Sequence, residues 1–302
     1  MALHGVALVD KPAGMSSFSV VSRLRRAFRP LGVTKAGHTG TLDPLATGLL
    51  PICIGEATKF AQRLLDADKG YLATIKLGEL TTTADAEGDI IERASVNVNL
   101  AQVEVAIESF RGRISQIPPI FSALKINGKA AYEYARAGQV VEMVARDVEI
   151  LELTLLDLRA DELDIEVRCS KGTYIRSLAV DLAKALGTVG HLARLHRTRT
   201  GGFHVSAAKP LQQWMDTSDT ERAAWLLPAD VLIYELVRVD IDQHQSRDIR
   251  NGKVISIENA VARVPGKPLL RLYDELHGFI GLGVTDGDGT VRAERLLSTQ
   301  SP

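Results

Sequence analysis

Apolar positions recur along the chain at two different spacings, which predict a mixture of helices and strands. A helix is predicted to run to Phe28 behind an N-cap at Ser16 or Ser17. Asn99 and Gln102 have the spacing of a capping box and predict the start of another helix. This second helix covers residues 99–110, and helical spacing predicts two more at residues 56–66 and 174–186.

Short apolar runs bounded by turn-forming residues predict the strands. They lie at residues 5–9, 49–54, 70–77, 148–158, 163–169, 269–273, 279–284 and 291–296. The last three form a small β unit of their own. The polar stretch after Leu227-Pro228 predicts a domain boundary near residue 235.

The charged residues are distributed unevenly, although the net charge of the chain is only −1. Residues 1–70 hold nine basic and five acidic groups and residues 166–210 hold eight and two, whereas residues 71–110 hold two and seven. If the fold brings the two basic stretches together, they form a phosphate-binding face. The alternative is that this asymmetry serves solubility alone.

The first predicted helix carries four arginines off its apolar stripe: Arg23, Arg25, Arg26 and Arg29. Such a basic face suits phosphate groups, and a solvated helix face is the alternative interpretation.

The sequence lacks the signatures of common cofactor and metal sites. It has no phosphate-binding P-loop, no strand-linked GxGxxG, no HExxH and no GxSxG. Cys53 and Cys169 lie far apart without a ligand-like spacing, which favours reduced core thiols. No stretch of 18 apolar residues occurs and no signal segment begins the chain. We therefore predict a cytoplasmic protein that uses no cofactor, no metal and no membrane.

Asp43 is the carboxylate of greatest chemical interest. It lies in residues 37–48, GHTGTLDPLATG, where Pro44 disfavours helix and the glycines permit close approach of a substrate. An ionised aspartate at this position can act as a nucleophile or a base. The alternative for an Asp-Pro pair in a loop is a turn starter.

Arg176 lies at the second or third position of its predicted helix, where the helix dipole disfavours a cation. An anionic partner, either a catalytic carboxylate or a phosphate, accounts for this placement, and an exposed arginine is the alternative. Tyr174 lies close enough in the sequence to share the same site.

Five sequence blocks together resemble the bacterial tRNA pseudouridine synthase B family. They are DKP at residues 10–12, GHTGTLDPLATG at 37–48, KGY at 69–71, PPIFSALK at 118–125 and KGTYIRSL at 171–178. The blocks occur in the family's order across residues 5–205, and the block around Asp43 is the most specific. The tail beyond about residue 235 resembles the family's small RNA-binding domain of the PUA type through its strand pattern.

The resemblance implies that uridine 55 in the T loop of tRNA is isomerised to pseudouridine without a cofactor, with Asp43 as the catalytic residue. The carboxylate can add to the uracil ring, add to C1′, or assist formation of a glycal, and the sequence leaves these routes open. The base must also leave the folded T loop, and the resemblance assigns its displacement to His38.

The resemblance assigns the remaining site residues to substrate binding. Tyr71 stacks on the target base, with a core tyrosine as the alternative, and Arg176 pairs with the catalytic aspartate. Tyr174 and Leu195 line the same pocket, and Lys11 contacts the RNA backbone or supports its loop. A further hypothesis is that Asp85 holds Arg176 in the free enzyme and exchanges it with Asp43.

The resemblance also implies an α+β fold, in which a catalytic domain with a long antiparallel sheet and flanking helices precedes a small β-rich PUA-like domain. The predicted domains are residues 1–234 and 235–302, and an arm at about 121–147 grips the T arm of tRNA.

A non-catalytic T-arm-binding protein or tRNA chaperone is the alternative function, and a tRNA-folding activity can accompany catalysis. A synthase of a guide-RNA particle would carry extra basic extensions, which are absent, so no obligate protein partner is expected.

Overall fold

The computed structural model describes residues 3–257, 268–285, 287 and 289–298 of the chain. Its α-helices are α1 (Ser17–Ala27), α2 (Ala61–Asp66), α3 (Leu100–Ser109), α4 (Ala131–Arg136), α5 (Ile175–Ala185), α6 (Leu211–Asp216), α7 (Asp219–Ala224) and α8 (Gln243–Arg250). Short 3-10 turns occupy Arg29–Leu31, Gly55–Phe60, Val205–Ala207 and Ala229–Ile233.

The strands of the first 210 residues are β1 (Gly5–Lys11), β2 (Ala36–His38), β3 (Thr47–Ile54), β4 (Lys69–Leu77), β5 (Glu79–Thr81), β6 (Ile90–Arg93), β7 (Gly112–Gln116), β8 (Lys125–Ile126), β9 (Lys129–Ala130), β10 (Arg146–Arg159), β11 (Glu162–Cys169), β12 (Gly190–Thr200), β13 (Phe203–His204) and β14 (Lys209–Pro210). The later strands are β15 (Val237–Asp240), β16 (Ile255–Ser256), β17 (Leu269–Asp274), β18 (Gly278–Thr285) and β19 (Thr290–Leu296).

One large sheet organises the first part of the chain. Its order is β14-β1-β3-β12-β4-β11-β10-β7, with β2 paired to β3 and β13 paired to β12. Most pairs are antiparallel, and the short contacts β12-β3 and β1-β14 are parallel. A separate sheet, β15-β17-β18-β19-β16, forms the β-rich C-terminal part. The predicted fold class, helices around a long and mainly antiparallel sheet plus a β-rich C-terminal unit, is confirmed.

The main core lies between one face of the large sheet and helices α1, α3, α5 and α6. The opposite face around β1 and β3 is covered by the turn Ala229–Ile233 and by Leu282 and Leu297 of the C-terminal part. None of the helices in the described ranges is long and apolar enough to span a bilayer.

The local signals for helix starts are confirmed. The Ser16 hydroxyl caps α1 by accepting a hydrogen bond from the Ser19 amide at 3.1 Å. Asn99 and Gln102 form the predicted capping box, each side chain accepting from the other residue's backbone amide.

Two predicted elements differ from the structure. Ala36–His38 forms a strand, although a loop was predicted for residues 37–48, because β2 gains backbone hydrogen bonds from the edge of β3 that glycine-rich composition does not reveal. The predicted helix over residues 56–66 begins as the 3-10 turn Gly55–Phe60. Phe60 interrupts it with a φ of −110° and a ψ of 2°, and its ring packs edge-on against Phe279.

Candidate active site

Asp43 lies in the loop between β2 and β3, and its side chain is 32% exposed. The buried Ser17 hydroxyl at the start of α1 fixes this loop, since it accepts from the Leu42 amide at 2.8 Å and donates to the Leu42 carbonyl at 3.0 Å. The Gly14 amide donates to the Pro44 carbonyl at 2.8 Å. Contacts on both sides therefore hold Asp43 in a fixed place at the surface.

Arg176 faces Asp43 from the second residue of α5 and is only 4% exposed. Its Nε and Nη2 lie 3.0 and 3.2 Å from the two carboxylate oxygens of Asp43, and Nη1 lies 3.5 Å from Asp85 Oδ2. It also donates to the carbonyls of Thr83 and Phe121 at 3.2 and 2.9 Å. Two carboxylates thus account for a cation at an unfavourable helix position.

Asp85 brings a second, deeply buried carboxylate to the same guanidinium. The Thr83 hydroxyl donates to Asp85 Oδ1 at 2.5 Å and the Glu87 amide donates to it at 3.1 Å. The turn that carries Asp85 is tied to β12, because the Leu192 amide donates to the Ala84 carbonyl and the Ala86 amide donates to the Leu192 carbonyl.

The environment of Asp43 opposes its ionisation. Burial raises the pKa of the Asp43 carboxyl above its usual range and the charge of Asp85 adds to the shift, although the Arg176 guanidinium works against both. A carboxylate that is aligned by an arginine yet poorly solvated is more basic and more nucleophilic than one in water.

Tyr71 lies in β4 with its ring buried in the main core. Burial raises the pKa of its phenol to about 12, against an opposing influence from Arg197. The phenol is therefore protonated at neutral pH and can donate a proton. Tyr71 pairs with Arg197 across the β4-β12 ladder, so both residues share one level of the sheet.

Arg197 was not predicted, and it is among the most buried charged groups in the described residues at 1% exposure. Its guanidinium donates to the carbonyls of Leu49, Gly40 and Thr41 at 2.7, 3.1 and 3.3 Å. It therefore ties the loop that precedes Asp43 to the centre of the sheet. Its sequence signal is weak, because an arginine in a strand that also contains His191, Arg194, His196 and Arg199 predicts an exposed side chain.

His38 lies in β2, half-buried, and its Nδ1 accepts from the Gly40 amide at 3.3 Å. Burial lowers the pKa of this imidazole and the charge of Arg197 lowers it further. The ring is therefore neutral near pH 7, with its proton on Nε2.

Tyr174 lies at the start of α5, and Leu195 of β12 lines a cavity together with Leu45 and Thr47. Tyr174 is the N-cap residue of α5, and the buried Gln116 holds its backbone by accepting from its amide at 2.8 Å and donating to its carbonyl at 3.0 Å. Leu195 is buried in the main core and pairs with Ala73. Gln116 was not predicted, and its side chain bonds to the backbone of Tyr174.

Lys11 is fully buried at the end of β1. Its ammonium donates to the carbonyls of Pro12 and Pro44 at 2.9 and 3.2 Å, and burial lowers its pKa to about 8. These contacts favour support of the Asp43 loop over direct contact with RNA, the two roles left open from the sequence. Within the described ranges, no group of three His, Cys, Asp or Glu side chains is placed to hold a metal ion.

The role of Arg197 leads to a stability prediction. Arg197→Gln is expected to destabilise the protein by roughly 2–4 kcal/mol, because a shorter neutral side chain leaves buried carbonyls without a donor. Urea unfolding at neutral pH measures the change. Arg199→Gln, at an exposed position of the same strand, is the matched control and is expected to change stability by less than about 0.5 kcal/mol. Equal urea midpoints for Arg197→Gln and Arg199→Gln would contradict the structural role of Arg197.

Three family models match consecutive parts of the chain. The model described as "TruB family pseudouridylate synthase (N terminal domain)" matches residues 26–175. Residues 176–233 match "tRNA pseudouridylate synthase B C-terminal domain", and residues 238–297 match "Pseudouridine synthase II TruB, C-terminal".

Curated relatives agree over almost the whole chain. Proteins named "tRNA pseudouridine synthase B" from Neisseria meningitidis serogroup A and Aromatoleum aromaticum are 44% and 47% identical, and each alignment covers 98% of this chain. The alignments cover 95% and 94% of those proteins. Among solved structures, one titled "Crystal Structure of a Cbf5-Nop10-Gar1 Complex" is similar with a TM-score of 0.71 over 97% of this chain and 84% of that one. At 23% identity, this likeness supports the fold alone.

Proposed function

Because this chain belongs to the TruB family of pseudouridylate synthases and is a tRNA-modifying isomerase, we propose that it isomerises uridine 55 in the T loop of tRNA at Asp43. The observation that carries this proposal is the pairing of Asp43, half-buried and open to solvent on one side, with the buried Arg176. A non-catalytic RNA-binding protein has no need of such a pair.

The reaction breaks the bond between C1′ and N1, turns the uracil and joins C1′ to C5, after which C5 loses its proton and N1 takes one up. Arg176 donates a hydrogen bond from Nη2 to one oxygen of Asp43 and holds its Nε 3.0 Å from the other, and it so orients the carboxylate toward a bound nucleotide. The raised basicity of the Asp43 carboxylate suits addition to the uracil ring, addition to C1′ or removal of a proton. All three routes place Asp43 in contact with the reacting atoms.

Tyr71 is proposed to stack on the face of the uracil. His38 is proposed to fill the space that the base leaves in the T loop. A buried phenol that stays protonated can stack on uracil and donate a proton to an oxygen of the turning base. A neutral imidazole can enter a base stack without the cost of desolvating a charge. Tyr174 and Leu195 are proposed to close the sides of the same pocket.

The arm at residues 121–147 is proposed to grip the T arm. It contains the short hairpin β8-β9 and α4, and it ends at the start of β10. Lys129 and Arg136 lie 5.5 and 5.3 Å from the ring centroids of Tyr134 and Tyr132, so each of these rings has a cation beside it. Residues 235–302 are proposed to form a second RNA-binding unit.

The charge of Asp85 predicts a pH effect. The pKa of Asp43 is raised, so a rate that needs its carboxylate falls on acidification already above the usual aspartate pKa of about 4. Asp85→Asn removes one cause of that shift, and the acid limb of kcat is expected to move to lower pH. Asp89→Asn, in an exposed part of the same turn, is the control and leaves the limb in place. Single-turnover rates between about pH 4 and 8 measure the position of this acid limb. An acid limb that stays in place in Asp85→Asn would contradict coupling of Asp43 and Asp85.

The proposed function is tested by mapping the product. A full-length tRNA transcript is incubated with the enzyme, and pseudouridines are located by carbodiimide modification and primer extension. A new stop at position 55 is expected, and none is expected with a transcript that carries cytidine there. Modification at another position alone would overturn the assignment of uridine 55.

A further inference from the structure

The exposed face of α1 forms a row of unpaired cations next to the catalytic loop. Arg23, Arg25, Arg26 and Arg29 are all exposed, and none forms an ion pair with a described carboxylate. Several exposed arginines elsewhere are paired, for example Arg93 with Glu79 and Arg111 with Glu108, although Arg113 and Arg146 are not. The face also lacks acidic residues in its own sequence, because none occurs from Lys11 to Leu42.

This arrangement is unfavourable for the free protein. Arg25 and Arg29 are four residues apart and Arg23 and Arg26 are three apart, so like charges are neighbours on the helix surface. The helix dipole favours cations in the last turn, where Arg25 and Arg26 lie, but it does not account for the lack of any carboxylate nearby. A polyanionic partner supplies the missing negative charge.

The position of α1 connects this face to the site. The hydroxyl of Ser17, in the first turn of α1, holds Leu42 beside Asp43, and the body of α1 packs against β2, which carries His38. Phe18 follows Ser17 and is 71% exposed. The face thus begins with an aromatic ring next to the catalytic loop and continues along α1 with arginines.

We propose that this face of α1, from Phe18 to Arg29, binds the RNA strand that flanks the target uridine, with the arginines on phosphates and Phe18 against an unstacked base. The inference rests on the proposed function, because it assigns a second contact surface for the same RNA. The face is about 16 Å long, which is enough to meet several phosphates of one strand.

The arginine contacts are tested by the salt dependence of binding. Dissociation constants of a fluorescent T-arm RNA are measured at KCl concentrations from about 0.05 to 0.3 M for the wild type and for Arg25→Gln/Arg29→Gln. The slope of log K against log salt is expected to become shallower by about 2, and affinity at about 0.15 M salt to fall roughly tenfold. The kcat at saturating RNA stays at the wild-type value.

The control is Arg93→Gln/Arg111→Gln, which changes the net charge equally at two exposed arginines that are paired with carboxylates. It is expected to change the slope by less than about 1. Equal slopes for the wild type and the α1 variant, or equal changes in both variants, would overturn the proposal. Failure of the proposed function appears separately, as tight binding by the wild type without pseudouridine formation.

Phe18→Ala tests the aromatic end of the face. The affinity for T-arm RNA is expected to fall on the order of tenfold at every salt concentration with the slope unchanged, because stacking carries no charge. Unchanged affinity would overturn the contact between Phe18 and a base.

Discussion

Asp43→Asn is expected to reduce the single-turnover rate of pseudouridine formation by at least about a thousandfold. Asparagine has the same shape and still offers an oxygen to Arg176, but its neutral amide is neither a nucleophile nor a base. RNA binding is therefore expected to stay close to that of the wild type. Chromatography of the nucleosides released from reacted tRNA measures the rate.

The same variant is expected to keep its stability. The pKa of Asp43 is raised in the folded protein, so its ionised form is disfavoured there relative to the unfolded chain, and stability falls as pH rises through the interval between the two pKa values. A neutral residue avoids this cost near pH 7, and the urea midpoint is expected at or above that of the wild type.

Asp66→Asn, at a surface carboxylate paired with Lys171, is the control that keeps full activity. A turnover rate for Asp43→Asn within about tenfold of the wild type would exclude Asp43 as the catalytic group.

Arg176→Gln is expected to abolish turnover and also to destabilise the fold. The substitution leaves Asp43 and the buried Asp85 without the cation that both contact, and breaking a buried pair from one side costs about 3–5 kcal/mol. The absence of the guanidinium also raises the pKa of Asp43 further, so less carboxylate is present at neutral pH.

Arg176→Lys separates the two effects. Lysine keeps a positive charge and is expected to recover part of the stability. It lacks the planar guanidinium that hydrogen-bonds one oxygen of Asp43 and places a second nitrogen beside the other, so the rate stays at least about a hundredfold below the wild type. Urea unfolding and single-turnover kinetics measure both properties. Arg168→Gln, at a more exposed arginine paired with Asp68 and Glu152, is the matched control. Full activity of the lysine variant would contradict a need for the guanidinium group at this position.

Local signals in the sequence predicted the parts of the fold that local chemistry determines. The caps at Ser16 and Asn99 act within three residues, so their residue types are sufficient to predict the helix starts. The misfit of Arg176 with its helix dipole predicted an anionic partner for the same reason. The identity of that partner came only from the family resemblance, because Asp43 is 133 residues away in the chain.

Contacts set by strand order were not predictable in this way. Arg197 is buried because β12 lies between β3 and β4, and no local pattern places a strand from residues 190–200 at that position. Asp85 joins the site because its turn is hydrogen-bonded to β12. The strand at Ala36–His38 depends likewise on the exposed edge of β3. In each case the deciding contact joins segments that are distant in the sequence.

The most direct test of the central claim is tritium release from T-arm RNA that carries the label at C5 of uridine 55 alone, with wild type and Asp43→Asn compared at equal RNA occupancy. Release by the wild type and none by the variant is the predicted result. Equal release by both would show that another group performs the chemistry. Tight binding by the wild type without release would identify the protein as a non-catalytic T-arm-binding protein or tRNA chaperone.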